Sequence, residues 1–63
     1  MLEIDDAIGR LAAVDAEAAR IVELRFFGGL NDETIARVLG CSTRSVRRGW
    51  QAARLWLARE LRA

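Results

Sequence analysis

Apolar residues recur at helical spacing in four groups, and capping residues or glycines stand between the groups. In the first group Ile4, Ile8 and Leu11 share one face, which predicts a helix from about Leu2 to Ala13. Asp15 is then placed to cap a second helix, about Ala16 to Phe27, in which Ile21, Leu24 and Phe27 recur while Glu17 and Glu23 face water. Gly28 and Gly29 stop that helix, since glycine turns to positive φ without steric cost. Asn31 caps a short third helix, Asp32 to Leu39, whose Asp32 and Glu33 lie where the helix dipole favours negative charge. Gly40 ends it after two turns. Ser42 caps a fourth helix running from Thr43 to near Arg62, about 30 Å long at 1.5 Å per residue. No linker, repeat or low-complexity stretch interrupts the four. The expected fold is all-α: a small four-helix bundle, one domain over residues 1–63, with no wing.

The third and fourth groups have the spacing of a helix-turn-helix, at about residues 32–51. Such a unit needs two helices crossing steeply over a short turn, with a small residue at the crossing and a glycine in the turn. Ala36, Gly40 and Val46 stand where those demands fall, and Gly40, Cys41 and Ser42 make the turn. Ile35 and Leu39 supply the buried face of the first helix, Val46 and Trp50 that of the second. At about 100° per residue, Trp50, Ala53, Leu57 and Leu61 all fall within about 60° of Val46, forming one apolar stripe. Arg44, Arg47, Arg48, Gln51 and Arg62 fall on the other side. Leu55 also points away from the stripe, as an ordinary exposed leucine, and Trp56 borders the stripe as packing.

Composition strengthens the helical reading, with eleven Ala and no Pro. Charge adds an asymmetry that the net value of +1 conceals. Residues 1–40 carry four arginines against eight carboxylates, a net −4, whereas residues 41–63 carry six arginines against Glu60, a net +5. One end is suited to an anion. All ten basic residues are arginine, which suits forked contacts to phosphate and guanine and which a GC-rich genome would equally produce. With no His and with Cys41 alone, neither an internal disulfide nor a zinc set is expected, and no cofactor. Cys41 is expected as a buried thiol at an apolar turn position rather than a redox sensor. A chain this short hides only about 60% of its unfolded surface. With no nucleophile, base and orienting group together, the expectation is neither an enzyme nor a binder of small-molecule substrates. No apolar stretch approaches the roughly 18 residues of a membrane span, and Glu3, Asp5 and Asp6 stand where a signal peptide would be basic. The expectation is a cytoplasmic protein without membrane contact.

The segment IVELRFFGGL (Ile21 to Leu30), followed by ETIARVLGCSTRSVRRGWQAARLWL (Glu33 to Leu57), closely resembles region 4 of extracytoplasmic-function-type sigma-70 factors. The resemblance extends from near Leu11 to Leu61. Its most specific parts are Leu24, Arg25, Gly29 and Leu30, then Val46, Trp50, Ala53, Arg54 and Leu57. Trp50 stands where the family more often has Leu, and Cys41 and Gly49 also depart from the commonest residues. Gly49 is expected to weaken the last helix by about 1 kcal/mol relative to Ala.

The resemblance implies recognition of the −35 element of double-stranded promoter DNA while attached to core RNA polymerase. The family pairs this domain with an N-terminal region 2, which is not found in this sequence, so the chain is expected to be an excised C-terminal domain rather than a stand-alone relative. Arg44, Arg47, Arg48 and Gln51 are the base-reading candidates, because Arg donates twice to guanine O6 and N7 and Gln pairs with adenine. Thr43 and Ser45, with Ser42 chiefly as cap, are candidates for phosphate at the helix start, and Arg37 for backbone contact. Arg59 and Arg62 lie too far along to reach the same groove. Arg25 is expected to pair with Glu33 across the helix pair rather than to contact phosphate. In the family the first two helices grip the flap of the polymerase β subunit, and anti-sigma factors compete for that surface. Here the candidate is an apolar groove including Leu11, Ile21, Leu24, Phe26 and Phe27, with one of the adjacent phenylalanines facing a partner. Two alternatives are an output domain of the LuxR type, which the Ala53, Arg54 and Leu57 pattern argues against, and a protein-interaction helical module without sequence-specific DNA binding. Salt-dependent DNA binding separates the latter.

Overall fold

A computed structural model describes residues 3–62 and has four helices: α1 (Glu3–Val14), α2 (Ala16–Phe26), α3 (Asp32–Leu39) and α4 (Thr43–Arg62). The two later helices have the bounds expected from the sequence. The first extends one residue beyond Ala13, and the expected start at Leu2 lies outside the described residues. The caps act as their residue types require: the Asp15 side chain accepts from the Ala18 N–H at 3.2 Å and Asn31 from that of Thr34 at 2.9 Å. Gly40 (φ 72°) caps α3 in the left-handed region. After α2 only Gly29 (φ 66°) takes that conformation. Gly28 is needed for a different reason, since a Cβ there would lie 2.7 Å from the Leu24 carbonyl oxygen.

α4 is the spine. It packs against α1, α2 and α3, while α1 and α3 meet α2 but not each other. Two clusters result. Ala7, Ile8, Leu11, Ala18, Ala19, Val22, Ala53 and Leu57 fill the space between α1, α2 and α4. Ile21, Ile35, Ala36 and Val46 form the second, which anchors α3. Trp50 packs against both and joins them. The first cluster mixes four alanines with Ile8, Leu11, Val22 and Leu57, so that small and large side chains can interdigitate.

Helix α2 departs from the expected face. The spacing of Ile21, Leu24 and Phe27 pointed Phe27 inward, yet it is 65% exposed and forms the C-cap. The buried residues are Ala18, Ala19, Ile21 and Val22, because α2 contacts three neighbours and needs a broader apolar surface than one stripe. Leu61, at the far end of the α4 stripe, is exposed. At that end Arg10 meets Glu60 at 3.2 Å and ties α1 to α4, an exposed pair that contributes at most about 1 kcal/mol.

Gly49 has a structural explanation. It faces α2, and a Cβ built on it would stand 2.6 Å from Ile21 Cδ1. Ile21 is 2% exposed, so its tip moves only by crowding the second cluster. The roughly 1 kcal/mol of helix propensity gained by Gly49→Ala is therefore opposed by overpacking of about 1–3 kcal/mol. Ile21→Val removes the offending methyl. In a double-mutant cycle followed by urea unfolding, I21V and G49A are expected to be less damaging together than their separate losses summed, by about 1 kcal/mol. Simple additivity would show that the two positions do not oppose each other.

Candidate nucleic-acid interface

The turn between α3 and α4 is held by backbone bonds. The N–H groups of Gly40 and Cys41 both donate to the Ala36 carbonyl, the latter at 2.9 Å. Ser42 Oγ accepts from the Ser45 N–H at 3.1 Å and donates to Ser45 Oγ at 3.1 Å, so its hydroxyl is occupied as a cap. Cys41 is half-buried against the second cluster, less enclosed than expected. Ile35 and Val46 are fully enclosed and fix how α3 crosses α4.

That crossing leaves one face of α4 outward. Arg44, Arg47, Arg48 and Gln51 are all exposed, as are Ser45 and, on α3, Arg37, whereas Thr43 is half-buried. Arg47 leans toward the start of α3, its Nε 3.7 Å from Asp32 Oδ2. Arg48 lies on the opposite flank, where it lines a shallow groove with Glu17, Ser45, Gly49 and Ala52. Arg44 and Gln51 lie between the two flanks by helical spacing. Leu55 is exposed and Trp56 packs against the first cluster, as their wheel positions implied.

Arg25 does not pair with Glu33. It donates to Asp32, and its guanidinium lies over the Trp50 ring, 4.7 Å from the centroid. Asp32 begins α3 and turns back toward the end of α2, while Glu33, about 100° further round, points to solvent. Phe26 meets Trp50 edge-on at 5.5 Å and 67°. The sequence marks Asp32 only as a residue suited to a helix start. Its two arginine neighbours come from α2 and α4, and no local pattern records them.

The apolar residues nominated for a protein partner separate into two sets. Leu11 and Ile21 are 3% and 2% exposed and belong to the core, so they offer a partner no surface. Leu24 is half-buried, and Phe26 and Phe27 both stand largely in solvent. The chain leaves α2 at this point, so both rings are largely exposed, Phe26 keeping its contact with Trp50 of α4.

A family model for ECF sigma factors matches residues 1–63. The chain belongs to the ECF sigma factor family. No curated protein sequence and no solved structure gives a significant match. ECF sigma factors act in transcription initiation, with promoter DNA and core RNA polymerase as their general partners, and are regulators rather than a catalytic family. In this ECF sigma factor no described helix is long and apolar enough to cross a membrane.

Proposed function

We propose that this chain reads the −35 promoter element by placing the first half of α4 in the DNA major groove. The carrying observation is the outward row of Arg44, Arg47, Arg48 and Gln51, backed on the buried side by Val46 and Ala53. A helix of about 10–12 Å diameter fits a major groove about 12 Å wide. The arginines donate to guanine O6 and N7 and Gln51 to adenine, while Ser45, Thr43 and Arg37 contact phosphates on either side. Ser42 shapes the helix start. The end of α2, with Phe26, Phe27 and part of Leu24, is the surface offered to the β flap of core polymerase, and an anti-sigma factor that covers it competes with polymerase. Its aromatic, weakly charged character suits a protein partner rather than DNA.

Fluorescence anisotropy with a labelled duplex, selected by the chain from a randomised library, tests the DNA-reading half. A protein neutralising about five phosphates loses roughly 500-fold in affinity between about 50 and 200 mM salt. The expected result is a slope of that order together with preference for the selected duplex over random duplex. Equal binding to both at every salt concentration would leave a protein-interaction module as the better reading.

A further inference from the structure

Three helices converge on one carboxylate. Asp32 opens α3 with its side chain 21% exposed; Oδ1 accepts from Arg25 of α2, and Oδ2 faces Arg47 Nε of α4 at 3.7 Å. Arg25 is held in turn by the Trp50 face, and Trp50 by its T-shaped contact with Phe26. Asp32 is therefore a braced point. Arg47 is not: its side chain is 69% exposed, and Asp32 is its sole ionic partner among the described residues. Arg44 and Arg48 have none there.

The geometry points to Asp32 as a specificity-determining residue that orients Arg47 without contacting a base, an inference that rests on the major-groove reading of α4. A carboxylate beside Nε leaves the two terminal Nη groups free, and these form the fork that matches guanine O6 and N7. The same negative charge disfavours a phosphate next to Arg47. Asp32 thus favours base contact over indiscriminate backbone contact, a bias set by repulsion as much as by attraction.

The test is a base-preference profile of the 63-residue chain, measured by competition between the duplex it selects and each single-base-pair variant. Arg47→Ala is expected to flatten the preference at one or two positions. Asp32→Asn is expected to relax those same positions by about 3- to 10-fold, part of what a full forked contact contributes, and to leave the others unchanged. Binding to random duplex strengthens by roughly 2-fold as a repulsive charge is removed. In the Arg47→Ala background Asp32→Asn adds nothing to the profile. Asp32→Glu keeps the charge and relaxes the same positions less, which provides a second variant if Asp32→Asn folds poorly. An unchanged profile, a uniform loss at all positions, or relaxation where Arg47→Ala has no effect overturns the role of Asp32 while the −35 reading stands. Failure of the wild type to prefer any duplex removes both.

Discussion

Replacing Arg44, Arg47 and Arg48 together with alanine is expected to lower affinity for the selected duplex by about two to six orders of magnitude, since each base-reading arginine contributes about 1–3 kcal/mol. The three are exposed along the first turns of α4 and take no part in either buried cluster, so the fold should survive their loss. Alanine also suits a helix better than arginine by a small margin. The circular dichroism spectrum and melting temperature should therefore change little. Equilibrium binding should weaken on the selected duplex far more than on random duplex, and the salt slope should become shallower by about 0.9 for each phosphate that is no longer neutralised. A triple variant that binds both duplexes as the wild type does would remove α4 as the reading helix.

Ile35→Ala is expected to destabilise the chain by about 2–5 kcal/mol. For a domain of this size, total stability is about 3–9 kcal/mol, so the change leaves a marginal or unfolded protein. The residue is fully buried, and with Ile21, Ala36 and Val46 it makes up the cluster that holds α3 against α2 and α4. Helix propensity favours alanine by only a few tenths of a kcal/mol and offsets little. At about 4–8 °C per kcal/mol, the melting temperature should fall by roughly 10–30 °C, measurable by the circular dichroism signal. Val38, on the same helix but 55% exposed, provides the contrast: Val38→Ala should stay within about 0.5 kcal/mol of wild type. Comparable losses from both variants would mean that α3 is not held by its buried face.

The helices were legible because their signals are local. Asp15, Asn31 and Ser42 cap the helices they precede, and Gly40 ends α3 in the left-handed conformation that glycine tolerates. The α4 stripe was legible for the same reason, as Val46, Ala53 and Leu57 recur at the helical period and are all buried. The α2 face was not, because a helix packed on three sides buries adjacent positions, Ala18 with Ala19 and Ile21 with Val22, and periodicity then points one way only in part. Phe27 was misplaced by that rule. Gly49 reads as a weakness in the sequence, and only its closeness to Ile21 explains it.

What the sequence alone determined, then, is the set of helices, the apolar stripe and arginine row of α4, and the residues that resemble a sigma factor; the period of one helix and the chemistry of a cap are encoded within a few residues. Tertiary structure decided the rest. Only packing brings Arg25, Asp32 and Arg47 from three helices to one carboxylate, encloses Leu11 and Ile21, and leaves both Phe26 and Phe27 in solvent. These outcomes depend on which helix covers which, a property of the whole chain that no local spacing encodes.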